Sequence, residues 1–362
     1  MDRNISRKNL EEVLCENVPD ISGKKIWVWG TGDTAQLYQQ GFKRLEKEGF
    51  FIEGYIDSFP EKRRTLFNGK PVIGPDELEK SADTCVLICS IRQEVVQDLS
   101  VQLDGMNVEW HLMDEVILKM HRTEVLKCYD LMADEKSKNV FAGIIVWRVT
   151  GKKTEIETEQ MSPYFGMDYF SDKNPEEIFI DCGAYTGDTV EDYLTQKNGI
   201  FKKIIAFEPD ISNFERLLEQ IEKECEKWKI PKDKIAAYPY GVAQNGCKGK
   251  VQRYGANSGL GSKIVENLSE ESDDCKIVSL DEFLTEPYTF LKADIESYEY
   301  QMLSGAQKGI RKYKPLLAIC LYHNSVDLYS IPLLVSEMLS EYKFAVRHYS
   351  DELSETIMYA WV

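Results

Sequence analysis

The sequence predicts an α/β fold with two Rossmann-like, doubly wound domains, and three observations lead to this prediction. First, a strand, a glycine turn and a helix follow one another twice along the chain. They begin at "KKIWVWGTGDTAQLYQQ" (residues 24–40) and at "IFIDCGAYTGDTVEDYL" (residues 178–194). Second, further short apolar runs alternate with helical patterns after each start, as in parallel sheets covered by helices. Third, the 362 residues are 43% hydrophobic, which is enough for two cores.

The first of these starts has the pattern of a βαβ unit. An apolar strand that begins at Ile26 precedes Gly30 and Gly32, and a second strand ends at Asp57. These residues fit part of a dinucleotide-binding pattern, but Ala35 stands where that pattern has its third glycine. The sequence therefore favours a scaffold or interface role for this domain. An NAD-dependent oxidoreductase that uses this domain stays as the less favoured alternative.

Changes of pattern along the chain set the expected domain boundaries. Strand and helix patterns alternate up to about residue 115, the next stretch is mainly helical, and the second alternating series begins near Tyr169. We therefore predict a small Rossmann-like domain over residues 1–115, a mainly helical connector over 116–168 and a second α/β domain over 169–362.

The second domain supplies seven strand candidates. They are "EIFIDC", "KKIIAF", "KIAAYP", "TFLKAD", "LLAICLY", "FAVRHYS" and "TIMYAWV". The last two flank the short "DELSE" turn and are predicted to pair as an antiparallel hairpin, which would give the sheet one reversed edge strand. In doubly wound sheets ligands bind at the carboxyl ends of the strands, near the topological switch point.

An acidic residue beside the second glycine turn indicates the ligand. Asp181 would repel the pyrophosphate of a dinucleotide, whereas S-adenosylmethionine presents an ammonium and a sulfonium. Glu208, at the end of the next strand, suits the two hydroxyls of an adenosine ribose. Helix capping by these two carboxylates is the alternative. The predicted cofactor-binding residues are Asp181, Gly183, Ala184, Tyr185, Gly187, Asp188, Glu208 and Pro209.

Four blocks of the second domain also carry a resemblance to a known family. "FIDCGAYTGDT", "IIAFEPDISNFERL", "VSLDEFL" and "LKADIESYEYQMLSGA" resemble, in order and spacing, the FkbM-type family of S-adenosylmethionine-dependent methyltransferases. The resemblance covers about residues 169–362 and implies a methyltransferase-type sheet and O-methylation of a sugar, glycan or related small-molecule hydroxyl. Ser297 departs from it, because the family usually has glycine there. The first domain is similar to small Rossmann-like modules of sugar-modifying enzymes.

Methyl transfer to a hydroxyl requires a positioned nucleophile and a group that takes its proton. In "LKADIESYEY", Lys292, Asp294 and Glu296 occupy alternate positions and share one face as far as the strand continues. We predict Asp294 as the base, with His323 at the end of the next strand as the second candidate. Glu296 would steer the acceptor, and Lys292 would hold the acceptor or keep Asp294 ionised. The alternatives are a paired structural lysine, a solvated helix start and a structural histidine.

Two further groups of side chains bear on this site. The carboxylates of Asp294, Glu296 and Glu299 would suit Mg²⁺ or Ca²⁺, but a divalent metal is not expected. Tyr298, Tyr300 and Tyr322 are candidates for the walls of an acceptor pocket, although tyrosine is equally common in half-buried packing. A protein that binds S-adenosylmethionine or a sugar nucleotide without turnover is the main alternative function.

Charge and composition narrow the partners and the compartment. The chain has 44 Lys and Arg residues against 61 Asp and Glu residues, a formal net charge of -17. Because nucleic-acid affinity depends on cationic neutralisation of phosphates, no nucleic-acid partner is expected. We also expect no membrane span and no signal peptide, since no apolar segment is long enough. Nine scattered cysteines without a C-x-x-C pair suit free thiols in the cytoplasm.

Overall fold

The computed structural model describes residues 5–254, 261–266 and 275–362. The chain divides into two compact units. The first comprises Met1–Glu157 together with His323–Tyr329, and the second comprises Thr158–Tyr322 together with Ser330–Val362. The domain boundaries inferred from sequence, at residues 115 and 168, stay predictions.

The first unit contains one six-stranded sheet with helices around it. Its strands are β1 (Lys25–Trp29), β2 (Ile52–Ile56), β3 (Leu66–Phe67), β4 (Lys70–Ile73), β5 (Thr84–Ile88) and β6 (Glu109–Leu112). They lie in the order β3-β4-β2-β1-β5-β6, and every pair is parallel except β3 with β4. The helices are α1 (Arg7–Cys15), α2 (Asp33–Leu37), α3 (Gln39–Lys47), α4 (Gln93–Met106), α5 (Met113–Met120), α6 (Arg122–Leu131) and α7 (Glu135–Thr150).

A buried polar contact joins the helices of the first unit. Arg148 of α7 lies 3.0 Å from Oδ2 of Asp114 on α5, and the Tyr38 hydroxyl donates to the same oxygen at 2.7 Å. Since buried charges are stable only when they are paired, this contact fixes how α5 and α7 pack.

The second unit contains two sheets. Its strands are β7 (Ile178–Cys182), β8 (Lys203–Phe207), β9 (Ile235–Tyr238), β10 (Tyr240–Val242), β11 (Cys247–Tyr254), β12 (Gly261–Glu266), β13 (Cys275–Val278), β14 (Phe290–Ala293), β15 (Leu316–Cys320), β16 (Lys343–His348) and β17 (Thr356–Trp361). The helices after residue 158 are α8 (Asp168–Ser171), α9 (Asp188–Gln196), α10 (Ile211–Trp228), α11 (Leu280–Phe283), α12 (Glu299–Ser304), α13 (Gln307–Tyr313) and α14 (Asp327–Met338).

The main sheet of the second unit is doubly wound and has seven strands. Their order is β16-β17-β15-β14-β7-β8-β9, so the chain turns to opposite sides of β7 when it forms β8 and β14. The boundary between β7 and β14 is therefore the topological switch point. The smaller sheet, of order β10-β13-β11-β12, was not predicted.

The expected antiparallel hairpin at the end of the sheet is confirmed, but the reversed strand is not the edge strand. β17 is antiparallel to both β15 and β16, so the reversed strand lies second from the edge. The edge strand is β16. After β15 the chain forms the edge strand β16, and β17 then pairs between β15 and β16.

Aromatic side chains form the core beside the switch point. Phe179 of β7 and Phe290 of β14 are in register on neighbouring strands, and Tyr193 of α9 stacks on Phe179 with ring centroids 4.5 Å apart. All three side chains are buried, and aromatic rings of this size contribute much of the apolar area removed from water. This packing holds β7 and β14 rigidly where their carboxyl ends form the site. None of the described helices combines the length and the apolar character needed to cross a membrane.

Candidate active site

A cavity of about 440 Å³ opens at the carboxyl ends of β7, β8 and β14, within the second unit. Its volume is in the range of small-molecule sites, which is roughly 300–1,000 Å³. The segment before α8 and the strands β10 and β12 provide its other walls. Its lining includes Pro163, Tyr164, Gly183, Tyr185, Asp188, Thr189, Asp192, Phe207, Glu208, Pro209, Asn213, Tyr240, Gly241, Val242, Ile264, Lys292, Asp294, Ile295, Glu296, Tyr322 and Glu355.

The glycine turn after β7 brings the backbone close to β14. Gly183 has a φ of +81°, and a Cβ atom there would lie 1.9 Å from the carbonyl oxygen of Asp294. No side chain fits at that distance, so this position requires glycine. Gly187, with a φ of +94°, precedes α9, whose first residue Asp188 lines the cavity. Ala184 is fully buried beneath the turn.

Glu208 follows β8 on one side of the cavity. Its Oε2 accepts a hydrogen bond from the backbone N–H of Tyr185 at 3.0 Å, and its Oε1 accepts one from the backbone N–H of Asp210 at 2.9 Å. Burial raises the pKa of Glu208 to about 7, against the opposing effect of the backbone donors. Pro209 lines the cavity beside it. The carboxylate is therefore held in one orientation by the backbone.

The turn after β8 is stabilised by the cap of α10. The Asp210 carboxylate accepts hydrogen bonds from the backbone N–H groups of Ser212 and Asn213, as the N-cap of that helix. Arg253 of β11 donates to the same carboxylate at 2.6 Å. Asn213 in turn lines the cavity next to Glu208.

Asp181 and Lys292 form a buried ion pair beneath the cavity. The Lys292 ammonium lies 3.0 Å from Oδ1 of Asp181 and also donates to the carbonyl oxygen of Gly183 at 2.8 Å. Burial alone would lower the pKa of Lys292, but the Asp181 carboxylate outweighs it and raises that pKa. Lys292 lines the cavity, whereas Asp181 is fully buried and is absent from the described lining. The geometry matches the alternative weighed for Lys292, a lysine paired with a carboxylate.

Asp294 follows β14 on the other side of the cavity. Its Oδ2 accepts a hydrogen bond from the Tyr164 hydroxyl at 2.8 Å, and Tyr322 donates to Oδ1 at 3.0 Å and to Oδ2 at 3.2 Å. All three side chains line the cavity. A carboxylate held by two phenols at a strand end is suited to proton transfer with a bound ligand.

The shared face of Lys292, Asp294 and Glu296 was expected only as far as the strand continues, and the strand is short. β14 ends at Ala293, and Glu296 has a left-handed φ of +56°. Glu296 lines the cavity from this turn. Ser297 has a φ of +74°, in the region that favours glycine, which accounts for a preference for glycine at this position.

His323 and Glu299 are not among the described residues that line the cavity. His323 is buried and belongs to the first unit. Glu299 is fully buried, and its Oε1 accepts a hydrogen bond from the backbone N–H of Ile295 at 2.8 Å. One oxygen of Glu299 therefore holds the turn that follows β14.

Several lining residues were missed from the sequence. Tyr164 precedes the first strand of this unit, and Glu355 belongs to the turn before β17. Tyr240 and Ile264 come from the small sheet that was not predicted. The site was predicted from glycine turns and carboxylates at the carboxyl ends of predicted strands. None of these four residues belongs to such a motif.

The comparisons with known proteins agree with this architecture. Residues 181–344 match the model of the Methyltransferase FkbM domain family. The chain is also similar to the crystal structure of Methyltransferase FkbM from Methylobacillus flagellatus KT. That likeness covers 98% of both chains, with 18% sequence identity and a TM-score of 0.56.

Two further solved structures match with lower TM-scores. An rRNA methylase from Streptococcus thermophilus matches 56% of this chain and 97% of its own, with 13% identity and a TM-score of 0.33. The N-terminal domain of human METTL16 in complex with SAH matches 68% of this chain and 93% of its own, with 12% identity and a TM-score of 0.31. No curated protein sequence matches the chain.

The second unit therefore has the fold of the S-adenosylmethionine-dependent methyltransferases, with its cavity at the switch point of the sheet. Within it, residues 181–344 are an FkbM-type methyltransferase domain. This confirms the resemblance seen in the sequence blocks of the C-terminal part.

Proposed function

We propose that the protein transfers a methyl group from S-adenosylmethionine to a hydroxyl oxygen of a sugar, glycan or related small molecule. The observation that carries the proposal is the pair of carboxylates that follow two strands of the cavity. Glu208, after β8, is suited to the cofactor ribose, and Asp294, after β14, is suited to the acceptor.

The charges that line the cavity favour this cofactor. Among the described lining residues Lys292 is the basic one, and its ammonium pairs with Asp181. A cationic ammonium and sulfonium suit such a lining, whereas the pyrophosphate of NAD would be repelled. The lining carboxylates are those of Asp188, Asp192, Glu208, Asp294, Glu296 and Glu355.

Glu208 is the proposed ribose acceptor. An ionised carboxylate offers about four lone-pair sites, and backbone donors occupy one on each oxygen of Glu208. The Asn213 side chain also donates to this carboxylate, and the remaining acceptor capacity suits the ribose hydroxyls. Gly183, Tyr185 and Pro209 line the adjoining wall and are proposed to contact the rest of the cofactor.

Asp294 is the proposed base. S-adenosylmethionine, when bound, supplies a methyl group made electrophilic by its sulfonium. As the acceptor oxygen forms its bond to that methyl carbon and the carbon–sulfur electron pair stays on sulfur, Asp294 takes the hydroxyl proton. The cavity walls hold the acceptor in line, which lowers the entropic part of the barrier. Glu296, which also lines the cavity, is proposed to steer the acceptor.

We assign the base to Asp294 and not to His323, because Asp294 lines the cavity and His323 is not among its described lining residues. The ion pair of Lys292 with Asp181 gives Lys292 a proposed supporting role. Lys292 anchors the end of β14 and contributes positive charge near Asp294.

Calorimetry with S-adenosylhomocysteine, the demethylated product, tests the cofactor assignment. We expect binding that NAD does not displace, and displacement by NAD would contradict the assignment. Incubation with methyl-labelled S-adenosylmethionine and a set of sugars, glycans and sugar nucleotides then tests the reaction. Tight product binding without methyl transfer to any acceptor would favour a binding protein without turnover.

A further inference from the structure

Two tyrosine hydroxyls from distant parts of the chain meet on one carboxylate. Tyr164 precedes α8 and Tyr322 follows β15, and both donate to Asp294 at 2.8 to 3.2 Å. We infer that Tyr164 and Tyr322 are positioning residues that hold the Asp294 carboxylate ionised and directed into the cavity. This inference rests on the proposed function, in which Asp294 is the base.

The direction of these hydrogen bonds supports the assignment. Burial, followed by the nearby Asp294 carboxylate, raises the pKa of both Tyr164 and Tyr322 well above the usual value. Both phenols therefore keep their protons and act as donors to Asp294. Hydrogen bonds to an ionised acceptor are about twice as strong as neutral ones, so they stabilise the carboxylate over the carboxylic acid.

Few other described side chains of the second unit can stabilise the ionised form of Asp294. Lys292 supplies positive charge, with its ammonium 5.0 Å from the centre of the Tyr164 ring. Burial raises the pKa of Cys320 well above its usual value, so that thiol stays neutral. Four further described groups of the second unit are acidic and favour protonation of Asp294. They are Asp181, Glu296, Glu299 and Glu355.

The two tyrosines thus oppose the negative charges around Asp294. Two donors on a single carboxylate also fix the plane of that group, which a lysine at a distance does not. Loss of either hydroxyl should raise the affinity of Asp294 for a proton without creating a cavity, since phenylalanine keeps the ring. A hydroxyl that only filled space would leave that affinity unchanged.

The test is a carbon-13 NMR titration of the Asp294 carboxyl group in the full chain labelled with aspartate. The Asp294 signal is assigned by its loss in Asp294→Asn. We expect its pKa to rise by about one unit, tenfold in proton affinity, in Tyr164→Phe and in Tyr322→Phe, and by more in the double variant. Tyr169→Phe is the matched control, because Tyr169 is exposed and stacks on Trp361.

An unchanged Asp294 pKa in two folded single variants, or in the folded double variant, overturns the inference. A loss of thermal stability without a shift in that pKa also overturns it, since it shows a packing role. The titration needs no cofactor or acceptor. Methyl transfer at the wild-type rate by Asp294→Asn would instead contradict the proposed role of Asp294 as the base, whatever the tyrosine variants show.

Discussion

The ammonium of Lys292 lies 3.0 Å from a carboxylate oxygen of Asp181, and both side chains are buried at paired positions of β14 and β7. These two strands meet at the switch point of the sheet, directly beneath the cavity. The pair therefore links the two strand ends that carry the glycine turn and Asp294. The sequence predicts Asp181 as a cofactor contact, and in the structure Asp181 pairs with Lys292.

Removal of one member of this pair should be strongly destabilising. Lys292→Met leaves the Asp181 charge buried without its counterion, so we expect a loss of about 3 to 5 kcal/mol in the free energy of unfolding. Urea denaturation measures this loss, and Lys292→Met/Asp181→Leu should recover most of it. Lys232→Met, which breaks the exposed pair with Glu222, is the control and should change stability little. Wild-type stability of Lys292→Met would contradict a structural role for the pair.

Glu208→Ala should weaken S-adenosylhomocysteine binding. The substitution removes a charged acceptor of ribose hydroxyls, which corresponds to a loss of about 1 to 3 kcal/mol in the binding free energy. Calorimetry at constant pH gives the value, with Glu176→Ala as the control because Glu176 pairs with Lys202 on the exposed surface. If the folded Glu208→Ala protein bound the product as tightly as wild type, Glu208 would lie outside the cofactor site.

The pKa of Glu208, raised by burial to about 7, also predicts how binding depends on pH. Ribose hydroxyls donate to the ionised carboxylate, so ligand binding competes with the proton that Glu208 holds below that pKa. Affinity for S-adenosylhomocysteine should rise by about tenfold between about pH 6 and about pH 8, with release of a proton on binding. Glu208→Gln should show a flat dependence. The same slope in that variant would assign the titration to another group.

The sequence indicated the strand ends of the site but not all the side chains that meet there. Glycine turns and terminal carboxylates are local signals, so Gly183, Glu208 and Asp294 could be named in advance. Tyr164 could not, because its contact with Asp294 joins residues 130 positions apart and depends on the packing of the whole sheet. The sequence did not show where β14 ends, and Glu296 lies beyond Ala293 in a left-handed conformation.

The order of the hairpin strands and the presence of the small sheet also depend on tertiary pairing, which local sequence patterns do not show. Apolar periodicity predicted β16 and β17 as strands, but pairing order depends on which edge remains open once β15 is in place. Short strands such as β10 lie in a stretch without clear alternation. Their contribution to the cavity wall through Tyr240 follows from tertiary pairing alone.

A fragment that begins at Thr158 tests the proposed division of the chain. Its cavity residues all lie in the second unit, so we expect S-adenosylhomocysteine affinity close to that of the full chain. Tyr329 stacks on His121 in the first unit, and the fragment loses that contact. Its melting temperature should therefore be lower. A soluble, folded fragment that binds no product would contradict the assignment of the site to this unit.

Turnover of Asp294→Asn, with an acceptor identified by methyl transfer from labelled S-adenosylmethionine, tests the central claim most directly. Asparagine keeps the shape but cannot take the hydroxyl proton, so we expect kcat to fall by about 10² to 10⁴-fold. S-adenosylhomocysteine affinity should stay unchanged, because Glu208 and the glycine turn provide the proposed cofactor contacts. His323→Ala in parallel should retain most of the turnover if it folds. Methyl transfer at the wild-type rate by Asp294→Asn, or transfer to an atom other than oxygen, would contradict the account.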